Sequence, residues 1–301
     1  MALHGPILAV VDFAAGTEEV LRQAQAIAAG MGVPLVVGHV LPERLTVRML
    51  FPQFAGEDRA TLGVLEERAR AAIAERVPAV TGRAPDAFDV ELETGSPHAG
   101  VLQIVDRVSA GLLVMGPGGT TDRVARFAPC PLLVARPSAK GSVLAATDFS
   151  DPSLPAVAAA ADEARRRHAP LRLITCLESA EPITLGSVYL GVLPELPSRL
   201  IAELREDART RLQAIGAGLS VPTQCSVVEG RAADAIVRAA TDMPTELLVI
   251  GIRGRSNLSR LFLGSVAESI VHSAPCAVLL VHTHHPAHPA HPARAATAPR
   301  G

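Results

Sequence analysis

The sequence predicts two tandem copies of an α/β domain, each a parallel sheet covered by helices on both faces. Two observations carry this. The halves repeat: Ile7-Leu8-Ala9-Val10-Val11-Asp12-Phe13 matches Val143-Leu144-Ala145-Ala146-Thr147-Asp148-Phe149, and Ala128-Pro129-Cys130 matches Ala274-Pro275-Cys276. Within each half, short aliphatic runs with little polar alternation are separated by amphipathic segments, the pattern of strands buried on both sides. Gly95 and Gly116 pair with Gly230 and Gly251 at one offset, 135 residues. An offset near half the chain means a duplicated domain, since solenoid repeats recur every ~20–50 residues. Each copy is about 140 residues, enough for its own core.

The elements follow in order. In the first copy strands are expected near 7–11, 35–40, 88–92, 111–115 and 131–136. The second copy has strands near 143–147, 171–176, 224–228, 246–250 and 277–282. Its helices fall near 153–168, 195–215, 231–241 and 265–273. In the second of these, Leu200, Leu204, Ala208 and Leu212 recur every four residues with Arg205, Glu206 and Arg209 between them, an amphipathic surface pattern. The Pro- and Gly-containing segments 41–56 and 178–194 are expected loops. The boundaries are 1–139 and 140–283, with a tail over 284–301.

Composition excludes several functions. Net charge is −2, there is no Trp, and Tyr189 is the one tyrosine. Neither a basic stripe nor stacking platforms for nucleic acid are present. No apolar run approaches the ~18 residues of a membrane span, and the first residues lack a signal-peptide pattern. The chain is therefore read as soluble and cytoplasmic. Cys130, Cys176, Cys225 and Cys276 form no CxxC pair and read as free thiols. Lys140 is the only lysine, which rules out a P-loop.

The chemistry concentrates in the second copy. The strand ending at Ile250 runs into Gly251-Ile252-Arg253-Gly254, then nine residues, then Gly264-Ser265-Val266 and a helix. Free backbone N–H groups at a helix start favour phosphate. Asp148 ends the first strand. If the first and fourth strands are neighbours at a switch point, Asp148 and the glycine loop share one crevice. There Asp148 would hold a ribose, an adenine edge or a metal, or else cap its own turn. Ser265-Val266-Ala267-Glu268 also fits a capping box, in which the Ser265 hydroxyl caps its own helix. Arg253 and Arg255 either add charge for phosphate or are simply solvated.

These residues resemble the universal stress proteins, in the ATP-binding form for the second copy. The resemblance covers about residues 5–283 and rests on Ala146-Thr147-Asp148-Phe149-Ser150, Val228-Glu229-Gly230, Gly251-x2-Gly254-x9-Gly264-Ser265 and Ala274-Pro275-Cys276. It implies a five-stranded, Rossmann-like sheet of order 3-2-1-4-5 in each copy, with ATP in the crevice. By match, Ala146, Thr147 and Asp148 would border the ribose or adenine, and Cys176 would read adenine with its main chain. Ile250, Gly251, Arg253 and Gly254 would line ribose and phosphates, and Gly264, Ser265 and Val266 would bind phosphates. Ala146 replaces a frequent proline. Mg2+ would arrive with ATP, without a dedicated cage.

The first copy departs from this pattern. It keeps Asp12, but Gly116-Pro117-Gly118-Gly119-Thr120 replaces the long loop, about eleven residues shorter. Aligned from the following Ala-Pro-Cys, Gly118 and Gly119 stand where Gly264 and Ser265 stand. A Gly-Gly turn can cradle one anion as a nest, but not wrap a triphosphate. Asp12 then serves as a turn residue and the copy as a folded partner. By analogy with the family, the last strands of the two copies pair antiparallel as an intramolecular pseudo-dimer, with pairing of two chains left open. His282, His284, His285, His288 and His291 lie among Pro and Ala, a composition that reads as disorder without a specific metal.

The expected function is an ATP-binding regulator of a stress response, acting on an unidentified protein partner. The alternatives are a slow ATP-hydrolysing enzyme and an interaction module with a vestigial site. Hydrolysis needs a positioned base or metal ligands. Glu229 and Asp234 are candidates by proximity alone.

Overall fold

The computed structural model describes residues 5–42, 55–84, 86–178, 198–254 and 263–282. The first copy contains strands β1 (Ile7–Val10), β2 (Leu35–Pro42), β3 (Asp89–Gly95), β4 (Leu112–Met115) and β5 (Leu132–Val134). Its helices are α1 (Thr17–Met31), α2 (Ala55–Thr81), α3 (Pro97–Val108) and α4 (Thr121–Phe127). The second copy repeats the plan with β6 (Ser142–Ala146), α5 (Leu154–Arg167), β7 (Leu171–Leu177), α6 (Ser198–Ala217), β8 (Thr223–Glu229), α7 (Ala232–Asp242), β9 (Thr245–Gly251), α8 (Ser265–Ser273) and β10 (Ala277–Val281). A 3-10 turn, Asp151–Ser153, precedes α5.

All ten strands form one sheet of order β3-β2-β1-β4-β5-β10-β9-β6-β7-β8. Pairing is parallel within each copy, as the aliphatic strands and intervening helices require. The two copies join through one antiparallel ladder, with Val278, Leu279 and Leu280 opposite Val134, Leu133 and Leu132. The expected strand order and the pairing of last strands are both observed. This ladder removes the two apolar edges that β5 and β10 would otherwise expose.

Strand alternation builds two cores. Ile7, Ala9, Val114, Leu133, Val249 and Leu279 point to the face covered by α1, α2, α5 and α6. Leu8, Leu113, Leu132, Leu248, Ile250 and Leu280 point to the face covered by α3, α4, α7 and α8. Both cores run across the two copies without a break. Each fully buried Leu or Ile contributes about 1.5–3 kcal/mol, so β5 and β10 bind the copies through hydrophobic burial as well as through the ladder.

Local signals set the helix ends. Gly32, with φ 66°, closes α1 by donating its N–H to Ala28 O and Ala29 O. The segment expected as a loop over 41–56 includes the end of β2 and the start of α2, which then runs unbroken past Pro78 to Thr81. The remainder of that loop, and 179–194 of its counterpart, lie outside the described residues. In α6 the four-residue stripe is only half covered: Ala208 and Leu212 are buried, whereas Leu200 and Leu204 are exposed.

Candidate functional site

Strand order reverses at β1/β4 and at β6/β9. In the second copy this sets the ends of β6 and β9 side by side, where such sheets bind ligands. The backbone after β6 turns through Phe149, with φ 65°. Asp148 Oδ1 accepts hydrogen bonds from the Ser150 N–H at 3.0 Å and the Ser150 hydroxyl at 2.5 Å. Asp148 does therefore shape its own turn. Its other oxygen points to the glycine loop: a Cβ on Gly254 would stand 2.7 Å from Asp148 Oδ2. The aspartate and the loop expected to share a crevice are in contact.

The opposite wall was not foreseen. A Cβ on Gly251 would lie 3.2 Å from Pro152 O and 3.5 Å from Ser153 Cα, so the 3-10 turn packs directly on the end of β9. Its sequence, Asp151-Pro152-Ser153, carries an ordinary turn signature that could have indicated it. Thr147 locks this wall. It is 4% exposed, its hydroxyl meets Ser153 Oγ at 2.8 Å, and it accepts the Phe149 N–H at 3.0 Å. Thr147 therefore frames the crevice rather than lining it with a side chain. Ile250 likewise sends its side chain into the core, leaving only main chain at the crevice.

Helix α8 starts at the crevice mouth. Gly264 is its N-cap, extended at φ −62° and ψ 142°, and Ser265 is the first helical residue. This corrects the capping-box reading: with Ser265 inside the helix, its exposed hydroxyl does not cap. Gly264 supplies no capping side chain either. The N–H groups of Ser265, Val266 and Ala267 have no intrahelical acceptor, whereas Glu268 N–H already reaches Gly264 O at 2.9 Å. The helix end is held from behind, because Gly264 N–H donates to Ile252 O at 2.9 Å and Ile252 N–H to Val281 O at 3.2 Å.

Cys176 lies at the end of β7, opposite Val228 in the β7–β8 register. Its thiol donates to Gly230 O at 3.1 Å, and burial, helped by Glu178 and Glu229, pushes it up to about 11. Gly230 itself has φ 118°. Arg253 is half-buried beside the site, while Arg255 lies outside the described residues. Glu229 is taken by an ion pair with Arg205, and Asp234 sits in the first turn of α7. Among the described residues, no three His, Cys, Asp or Glu side chains gather to hold a metal. A shallow cavity of about 690 Å³, lined by Lys140, Arg172, Met243 and Pro244, opens at the amino ends of the same strands, away from the crevice.

The first copy has a different crevice. Asp12 Oδ1 accepts from Ala14 N–H at 2.9 Å and from the Thr17 hydroxyl at 3.3 Å, which is the turn role expected of it. The His39 ring packs 4.8 Å from Phe13 and bonds Val11 O at 2.7 Å. After Gly116 the chain enters α4 almost at once, and the Thr121 hydroxyl ties back to Gly116 O at 2.9 Å. Helix α4 begins at Thr121, so Gly118 and Gly119 lie in the turn ahead of it. Neither has a positive φ, so the right-to-left-handed step that would make this Gly-Gly turn an anion nest is not formed.

Comparison with known proteins accounts for both halves. The universal stress protein family matches residues 4–136 and again 141–282. A Thermus aquaticus universal stress protein, from the QAH/OAS sulfhydrylase 3' region, is 35% identical over 141 residues, 46% of this chain and 97% of its own length. A universal stress protein from Archaeoglobus fulgidus superposes with a TM-score of 0.63 and 18% identity, covering 92% of this chain and 96% of its own. A universal stress protein solved in complex with cAMP is 29% identical, with a TM-score of 0.34, over 48% of this chain and 99% of its own. The fold, the strand order and the two matched halves lead to one assignment: this chain belongs to the universal stress protein family, carrying two of its domains in tandem.

Proposed function

We propose that the second domain binds ATP in the β6/β9 crevice and that the protein works as a nucleotide-dependent regulator of a stress response. The carrying observation is the convergence of Asp148, Gly254 and the α8 N-terminus on one crevice. Ser265, Val266 and Ala267 offer main-chain donors where phosphate charge would gather. Asp148 Oδ2, at the loop, suits a ribose hydroxyl. Cys176 and the strand end beside it suit the adenine edge. Mg2+ would enter with the nucleotide. The first domain, with its direct β4–α4 turn, serves as structural partner.

Binding rather than turnover fits this arrangement. Asp148 Oδ1 is engaged by Ser150 and Glu229 by Arg205. Occupancy would act by changing the surface that Gly251–Gly254 and the α8 N-terminus present to a protein partner.

Calorimetric titration of the nucleotide-stripped chain with Mg-ATP tests this. One site per chain is expected, lost in Gly264→Val and kept in Asp12→Ala. Two sites would refute the one-domain reading, and no binding would leave an interaction module. Steady turnover abolished by Asp148→Ala would establish an enzyme instead.

A further inference from the structure

Helix α8 presents its N-terminus to the proposed phosphate site, yet its charged side chains and one of its last carbonyls are met by the other domain. Its two ionisable side chains, Glu268 and His272, both reach α4. His272 Nε2 meets Asp122 Oδ2 at 2.8 Å, and Glu268 lies 4.0 Å from Arg126. At the far end of α8, the guanidinium of Arg136, just past β5, donates to Val271 O in the last turn. The arrangement is reciprocal. His282, just past β10, meets Ala125 O in the last turn of α4 at 3.1 Å.

Helix geometry gives these contacts weight. The last four carbonyls of a helix lack intrahelical donors, and a cation there complements the helix dipole. A helix of nine residues is too short to hold itself, so its direction is set by what it packs against. Ala267, Ile270 and Val271 fix one face in the core. A second side packs on α7 of its own domain, and Asp122, Arg126 and Arg136 of the first domain add polar contacts along the outer side and at the C-terminal end. Backbone donors bind an anion only within about 0.3 Å of ideal distance, so a small tilt of α8 would spoil the cradle.

We infer that Arg136 and Asp122 of the first domain are positioning residues for the phosphate-binding helix of the second, so that the domain without a nucleotide loop sets the affinity of the domain that has one. This rests on the nucleotide reading above for its ligand, but not for its structural claim. A shift between the domains would change nucleotide affinity, and nucleotide binding would in turn stiffen the domain interface.

The test uses the full chain with Arg136→Ala, Arg136→Lys and Asp122→Asn, and Arg165→Gln as a surface control. Mg-ATP affinity is measured by calorimetry, and amide hydrogen exchange of α8 by mass spectrometry without nucleotide. Arg136→Ala is expected to weaken Mg-ATP about 3- to 10-fold and to speed exchange in α8 while β6–β9 stay protected. Arg136→Lys should recover much of both, and Asp122→Asn should weaken binding about 2-fold or more. Wild-type affinity and unchanged α8 exchange in both Arg136→Ala and Asp122→Asn would overturn the inference. If Arg136→Ala unfolds the chain, Asp122→Asn decides by the same criteria. If the wild type binds no Mg-ATP, the nucleotide reading fails and α8 exchange alone decides the positioning claim.

Discussion

Asp148 and Gly254 are in van der Waals contact across the crevice, so close that a Cβ at residue 254 would stand 2.7 Å from Asp148 Oδ2. The carboxylate cannot simply swing away, because Ser150 holds its other oxygen with two hydrogen bonds. Gly254→Ala is therefore expected to displace the loop or the carboxylate. Mg-ATP affinity should fall about tenfold or more, while thermal stability changes by less than about 1 kcal/mol, as for other surface-loop substitutions. Calorimetric titration and thermal unfolding of the same sample separate the two effects.

The two buried cysteines, Cys130 and Cys276, should be inert in the folded chain. Burial pushes the Cys130 thiol up to about 12 and that of Cys276 up to about 11. At pH 8 the reactive thiolate is then about one part in a thousand or less. Native protein should leave Cys130 and Cys276 unlabelled by an aromatic disulfide reagent over minutes, and denatured protein should label all four cysteines. Cys176, half-buried at the end of β7, should react slowly, and Mg-ATP should slow it further.

Glu163 sets an acid limit on stability. Burial alone would raise its carboxyl, but hydrogen bonds and charge from Arg166 and Arg167 together outweigh this and hold it below the usual range. The folded form is thus the stronger acid. Its contribution is complete above pH ~4.5 and is lost as pH falls through the lowered folded value. Glu163→Gln should destabilise by about 1–2 kcal/mol at pH 7, with the difference from wild type vanishing in strong acid. Denaturant unfolding from pH 7 to pH 3 reads this directly.

His282 acts in a higher window. Burial, with Arg253 adding repulsion, lowers its proton affinity despite the hydrogen bond to Ala125 O. Below pH ~6.5 the unfolded chain binds a proton that the folded chain refuses, so stability falls as pH drops. His282→Gln keeps a donor for Ala125 O and cannot titrate. Its unfolding free energy should decline less than that of wild type between pH 7 and pH 5.5.

Much of this was legible in the residues. The repeat and the aliphatic strands were enough for five parallel strands per copy, and Asp148 with the Gly251–Ser265 loop was enough to locate the crevice. The misreading of Ser265 has a clear cause. Gly and Ser are both acceptable N-caps, so Gly264-Ser265-Val266-Ala267-Glu268 permits two helix starts one residue apart, and the bond from Gly264 N–H to Ile252 O favours the earlier cap. The contacts of Asp122, Arg136 and His282 were out of reach, because they depend on the register of β5 against β10. Nothing in either strand's apolar pattern specifies which residues lie opposite.

A true two-fold dimer must carry every substitution on both sides of its axis. Here the two sides are separate stretches of one polypeptide. Asp122 and Glu268 stand at matching positions, as do Arg126 and His272, and Arg136 and His282. Each member of a pair can drift alone. Fusion thus combines the freedom of a heterodimer with an invariant one-to-one ratio, and no concentration is needed to assemble it. One half could shed eleven residues without taking them from the other. The resulting molecule has a front and a back, so that whatever docks on it can sense direction as well as occupancy.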